Sequence, residues 1–369
     1  MPISRRARSS LLVVVLTFLS LTPRAMAWGN KEHIQLTRLA ATQLLADPAT
    51  PPAMKQWLRD NTPGELTIDV ERRYFLNQRI GLIPRNVDGL PYWATMPDMN
   101  VFTDRPDSKV DPYGVHERLL HYIDLEFFIP DETKRNYRHD LSGKPKLEDV
   151  PRDMTDPRYQ RAGVLPFRVE ECYRKLVESL RAGRLADKPG QYPRDEHGVK
   201  WAGYLAHYVE DNTQPQHATV DYKSQQYFAD KRKAPNVHAE VEYMMNDDDE
   251  DDHLALREEF WTHFVAALDK ADDPVTTDDL WAGTIEVALR SYDALPLIGL
   301  AAMHAAGQGG TPDDPQGPAG EFSTEKFFRF TGDVRGEKMS VSEMKARQQA
   351  WAIKRVARLW RKAWDEAGP

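Results

Sequence analysis

Apolar residues return at three- and four-residue intervals along most of this chain, and that period is what most limits its fold. Ile34 to Leu45 carries it, as do Val169 to Leu180, Trp201 to Val209, Leu254 to Leu268, Leu280 to Leu295 and Met344 to Trp364. Runs alternating apolar with polar residues are scarce, so the spacing predicts an all-α protein: one multi-helix domain with long surface loops. With 369 residues and 41% apolar content, the chain can bury one large core. Its one cysteine, Cys172, excludes an intrachain disulfide, which leaves packing and bound groups to supply stability. Cys172 itself falls within a helical apolar pattern and reads as an inert core thiol. Between Ile129 and Gly163 charge and proline dominate without a period, which predicts a long surface loop. Gly307 to Gly320 reads as a flexible connection.

The amino terminus has the layout of an export signal. Arg5, Arg6 and Arg8 precede an apolar run from Leu11 to Leu21, and Ala25-Met26-Ala27 supplies the small-x-small pattern of a cleavage site. The apolar run is short for a membrane span. Cleavage after Ala27 would make Trp28 the first residue of a secreted or periplasmic protein. The net charge is −8, and loss of the four arginines of Met1 to Ala27, a segment without acids, would leave −12. A surface of that sign offers little to a polyanion.

Two segments concentrate metal-binding chemistry. His207-Tyr-Val-Glu-Asp211-Asn-Thr-Gln-Pro-Gln-His217 is followed by His238-Ala-Glu-Val-Glu242. On a helix, residues i and i+4 share a face, so His207 and Asp211 can converge on one ion and His238 and Glu242 on another. Neutral imidazole with carboxylate is a ligand set that suits Zn²⁺. One His-x3-Asp is easily accidental on a helix facing solvent; two such pairs framing a third histidine are much less so.

These features resemble the superfamily of zinc-dependent phospholipase C and S1/P1 nuclease, secreted helical proteins whose mature chain begins with a zinc-binding Trp. The mature start here would read Trp28-Gly-Asn-Lys-Glu-His33, with a histidine close behind the Trp as in that family. The resemblance implies that Trp28, through its α-amino nitrogen and carbonyl oxygen, and His33 are ligands, and that Asp211 bridges two closely spaced zincs with His207 beside it. It assigns His217, His238 and Glu242 to a third zinc and takes a further ligand from His121-Tyr-Ile-Asp124. The remaining carboxylate is expected at Asp98, in Trp93-Ala-Thr-Met-Pro-Asp98, with Asp88 and Asp104 as competitors. His116 is an alternative to His121, although the Tyr-Ile-Asp after His121 favours the latter.

What the resemblance implies, then, is a trinuclear Zn²⁺ phosphodiesterase with Asp98 and Asp211 in catalytic roles and a zinc-activated hydroxide as nucleophile. Its domains would be a signal peptide at 1–27, a catalytic domain at 28–306, the Gly/Pro-rich loop at 307–320 and a C-terminal extension at 321–369. Glu242 in place of Asp leans toward a phospholipase C-like enzyme acting on a phospholipid headgroup. His33 so near Trp28 leans toward an S1/P1-type nuclease acting on nucleic acid. A zinc-stabilised helical binding protein is the reading without turnover. No protein partner is inferred.

Two charged segments admit both a bland and a functional reading. Met344, Trp351, Val356, Trp360 and Trp364 form an apolar stripe opposite Lys345, Arg347, Lys354, Arg358, Arg361 and Lys362, and Ser340 with Glu343 fits a capping box. Such a helix can touch a lipid surface peripherally, but packing on the bundle with its charges in water is the expectation, since amphipathic helices usually face a core. The acidic run Asp247 to Asp252 reads as a solvated loop that adds negative potential near the third zinc site.

Overall fold

Helix burial on every side marks the centre of this protein. The computed structural model describes residues 29–76, 88–101, 109–110, 114–131, 141–184, 196–231, 234–244, 253–307 and 322–368. Its helices are α1 (Asn30–Ala46), α2 (Pro52–Asn61), α3 (Ile68–Leu76), α4 (Gly89–Val101), α5 (Tyr159–Ala162), α6 (Leu165–Arg184), α7 (Glu196–Thr213), α8 (Val237–Ala239), α9 (Leu254–Lys270), α10 (Leu280–Tyr292), α11 (Leu295–Ala305), α12 (Thr324–Arg329) and α13 (Val341–Glu366). The all-α expectation therefore holds, with one small β-hairpin besides. From Trp201 to Thr213 every residue of α7 is buried, as a helix enclosed by others requires. Helices α1, α4, α6, α10 and α13 surround it.

Gly203 sets how closely α4 can approach. A Cβ there would lie 2.5 Å from Trp93 Cβ and 2.9 Å from the Ala94 nitrogen, so only glycine lets the two backbones meet. On the other side the Trp360 indole of α13 donates to the Ala202 carbonyl at 3.0 Å. One continuous core runs from Leu36 to Ala367, so α13 shares its packing with the helices that carry the histidines.

Helix α13 begins at the expected capping box, with Ser340 and Glu343 bonded reciprocally at 2.7 and 3.1 Å. Met344, Val356, Trp360 and Trp364 are buried and Trp351 is half-buried. The opposite face departs from expectation. Lys345 is fully buried, and Lys354, Arg358, Arg361 and Lys362 hydrogen-bond to Gln43, Asp273, Asp365 and the Asp278 carbonyl. Elements α1, α9 and the 271–279 segment cover that side, a property that periodicity within one helix does not contain. Among the described residues no helix is long and apolar enough to cross a membrane.

Three local readings need correction. The segment Leu280 to Leu295 is not one helix: α10 ends at Tyr292 and α11 starts at Leu295, because Pro296 has no N–H for the preceding turn and its ring would strike the carbonyl four residues back. The 129–163 segment is not a bare surface loop. Between 141 and 163 it forms two 3₁₀ turns and α5, buries Val150 and Tyr159, and Lys144 pairs with Asp293 at 2.5 Å. A hairpin not anticipated joins Thr331–Val334 to Glu337–Ser340, antiparallel, with Val334 opposite Glu337. Its two-residue turn, Arg335-Gly336, has positive φ at both positions, the geometry that matches strand twist. The signal segment, Trp28, Asp104, the acidic run 247–252 and the 308–320 connection lie outside the described residues.

Candidate metal centre

Elements from across the described chain deliver side chains to one place. Helix α1 carries His33, α4 carries Asp98, and His121 follows the 3₁₀ turn Glu117–Leu120. Helix α7 presents His207 and Asp211 from one face. The 3₁₀ turn Pro215–Ala218, opened by Gln214 accepting from the Gln216 nitrogen, holds His217. His238 lies in α8 and Glu242 in the π-helical turn Glu240–Met244 that continues it. All eight residues are buried. Of the nine residues expected at zinc, Trp28 alone falls outside the described residues, although His33 bonds to Gly29 beside it. Of the competing positions, Asp88 is exposed and caps its neighbour Gly89, and His116 is exposed with its ring accepting from the Arg118 nitrogen.

The eight side chains make three groups whose donor atoms lie within 4.8 Å of one another: His33 with Asp98 and His207, His121 with His207 and Asp211, and His217 with His238 and Glu242. Asp211 joins the first two. Its Oδ1 is 3.4 Å from His33 Nε2, and its Oδ2 is 3.0 Å from His121 Nδ1 and 3.3 Å from His207 Nε2. Asp98 Oδ1 faces His121 Nδ1 and His207 Nε2 at 3.7 and 3.8 Å. In the third group, Glu242 Oε1 contacts His238 Nε2 and lies 3.4 Å from His217 Nε2.

A set of outer partners, none of them anticipated from sequence, decides which ring nitrogen each histidine turns inward. His207 Nδ1 donates to the Ala94 carbonyl at 2.7 Å, and His217 Nδ1 donates to the His121 carbonyl at 2.6 Å. Each Nε2 is thereby left with a lone pair toward the cluster. His33 Nδ1 sits 2.6 Å from Glu210, which also accepts from Thr37, so Nε2 again faces inward. His121 is reversed: Nε2 lies 3.4 Å from Glu117 and Nδ1 points at Asp211. Glu117 in turn accepts from the Tyr208 hydroxyl. Only Glu117, four residues before His121, has a short-range cue; Glu210 and the Ala94 and His121 carbonyls reach their histidines across 177, 113 and 96 residues. Lys345 comes from further along the chain still, 3.5 Å from Glu32 and 3.4 Å from the Glu242 carbonyl.

Electrostatics shows a cluster short of positive charge. Burial pushes Asp98 up to about 6 against the pull of His207 and His121, and burial raises Glu242 well above the ordinary range. Burial also lowers His217, and with His207 it brings His33 down to about 3. His121 moves the other way: burial opposes its charge, but Asp211 and Glu117 outweigh it and raise it to about 10. Asp211 is held well below its usual range, since His207 and His121 outweigh burial. Both oxygens of Asp98, Oδ1 of Asp211, Oε2 of Glu242 and Nε2 of His33 are buried without a hydrogen-bond partner. Orphaned donor atoms of this kind are costly unless something coordinates them, and an imidazole–carboxylate set suits a divalent cation. The three groups can therefore hold metal ions. No protein-family model and no curated protein matches this chain.

The centre opens onto a cleft of about 570 Å³ lined by Asp98, His121, His217 and His238 together with residues from the 118–127, 161 and 216–223 segments. Cys172 lies away from that wall, fully buried, with its thiol pushed up to about 12 by burial, which makes it unreactive.

Proposed function

We propose that this chain is a zinc-dependent phosphoester hydrolase of the phospholipase C/P1 nuclease type, exported before it acts, with three zincs per chain held by Trp28 and the eight clustered residues. The observation that carries this is the set of three interlocking His/carboxylate groups with orphaned buried donor atoms, opening onto one cleft. Zinc in such a set supplies positive charge toward phosphoryl oxygens and lowers the pKa of water.

The chain's own residues do the rest. Asp211, in reach of three imidazoles, keeps His33, His121 and His207 in register. Asp98, which lines the cleft, would take a proton from the attacking water. Glu210, Glu117 and the Ala94 carbonyl fix ring orientation, so little reorganisation accompanies reaction.

Glu242, as the third-group carboxylate, inclines the reading to the phospholipase C side. The nuclease reading draws support from the aromatic rings of Phe127 and Tyr222 and the cations on the cleft wall. The test is hydrolysis by zinc-loaded mature protein of phosphatidylcholine, single-stranded DNA and RNA, and bis(4-nitrophenyl) phosphate, each repeated after chelation. Chelator-sensitive turnover of at least one ester is expected. Full metal binding with no turnover of any of them refutes the hydrolase and leaves a zinc-stabilised binding protein.

A further inference from the structure

The composition of the chain makes one part of the cleft unexpected. Acids outnumber bases by 57 to 49, and the two arginines that line a second groove are engaged, Arg174 with Glu178 and Arg181 with the Glu366 carbonyl. Yet Arg118, Arg161 and Lys223 stand together on the cleft wall, and among the described residues none of them forms an ion pair. Two are held over aromatic rings that also line the cleft: the Arg161 guanidinium lies 4.5 Å from the Phe127 ring centre and Lys223 Nζ 5.5 Å from that of Tyr222. A ring face steadies a cation without neutralising it. The acid that Arg118 acts on is Asp124, which burial and Glu126 hold well above the ordinary carboxylate range, favouring its uncharged form. Among the described residues the wall therefore keeps three cations without an ion-paired acid beside the metal-binding residues.

We propose that the cleft accepts a compact substrate bearing a second phosphate group next to the ester that is cut, and that Arg118, Arg161 and Lys223 bind that second phosphate. This rests on the phosphoester hydrolase reading and narrows it. Guanidinium forks and an ammonium group match a phosphate's charge and its oxygens. A quaternary ammonium headgroup would instead meet three like charges. A long nucleic acid strand would gain at this wall and lose over the rest of an acidic surface. A volume of about 570 Å³ suits a nucleotide-sized molecule. Such a phosphate can come from a short nucleotide or from a phosphorylated lipid headgroup.

Two substrate pairs separate the sources: a thymidine dinucleotide with and without a 5′-phosphate, and phosphatidylinositol with and without a 4-phosphate, in mixed micelles. For zinc-loaded protein, kcat/KM should favour the phosphorylated member of one pair by about tenfold or more, and the pair that responds names the source. The double variant Arg161→Gln/Lys223→Gln should bring that ratio down toward one. A ratio near one in both pairs for the wild type, or an equal fall for both members in the variant, overturns the proposal. If none of these esters nor bis(4-nitrophenyl) phosphate is cut, the hydrolase reading fails and equilibrium binding of the same four molecules decides the rest. Binding about tenfold tighter for a phosphorylated member, lost in the double variant, sustains the phosphate site; equal binding of both members in each pair overturns it.

Discussion

Replacing Gly203 by alanine tests whether packing far from any ligand atom governs the metal centre. On an ordinary helix the change stabilises by about 1 kcal/mol, because alanine loses less backbone freedom. Here the new Cβ would meet Trp93 Cβ at 2.5 Å, Trp93 C at 2.8 Å and Ala94 N at 2.9 Å, where 3.4–4 Å is ordinary contact. Two of the three atoms are backbone, so no side-chain rotation gives relief and α4 must retreat by about 1 Å in a close-packed interior. Overpacking of this kind costs about 1–3 kcal/mol, which outweighs the helical gain or cancels it. The larger effect falls on His207, one turn along α7. Its Nδ1 bond to the Ala94 carbonyl is 2.7 Å, and the same retreat stretches it to about 3.7 Å, beyond hydrogen bonding. With the ring no longer oriented, zinc affinity should fall about 10- to 100-fold. Competitive chelator titration reads the affinity and urea unfolding of the metal-free protein reads the stability. A variant that is more stable by about 1 kcal/mol and binds zinc within threefold of wild type refutes the reasoning.

Further outcomes are expected at other positions. Asp211→Asn preserves shape but not charge at the junction of the first two groups, so metal content and phosphodiester turnover should collapse together while helical circular dichroism persists; normal turnover removes Asp211 from the mechanism. Glu117→Gln should lower zinc affinity about 10- to 100-fold by loosening His121, and an unchanged chelator titration counts against that orienting role. Glu71, 2.8 Å from Arg38, is pushed from its usual 4.5 up to about 7 by burial, which outweighs Arg38. The folded state keeps this proton where the unfolded chain has lost it, so the contribution is whole below pH 4.5, fades as pH rises to about 7 and amounts to roughly 3 kcal/mol. Glu71→Gln should flatten the slope of unfolding free energy in that window, and an identical slope in both proteins contradicts it. An extra Met ahead of Trp28 should cost one zinc and orders of magnitude in turnover, both restored on trimming, and equal metal content before and after trimming argues against an amino-terminal ligand.

What could be read from the sequence divides along a physical line. His207 with Asp211 and His238 with Glu242 stand out because helical geometry converts a four-residue interval into a shared face, and the all-α architecture is legible for the same reason. Each of those properties is decided within one turn of backbone. The break before Leu295 also had a local cause, Pro296, which the apolar period concealed because Leu295 continues the pattern. Lys345 shows the other side of the line. Its place on the polar face of α13 predicted water, yet it is buried against Glu32 and the Glu242 carbonyl, supplied by segments 313 and 103 residues away. The orientation of the histidine rings is of that second kind, since the Ala94 carbonyl meets His207 across 113 residues and only through the gap that Gly203 leaves. So is the charge of the cleft wall: Arg118, Arg161 and Lys223 are unremarkable one by one in the chain, and become a set only when three separate segments line one cleft. Candidate ligands are therefore a local property and could be named early. Which nitrogen faces the ion, and which substrate the cleft would admit, are products of packing between distant segments, and it is in those two respects that the fold adds most to the chemistry.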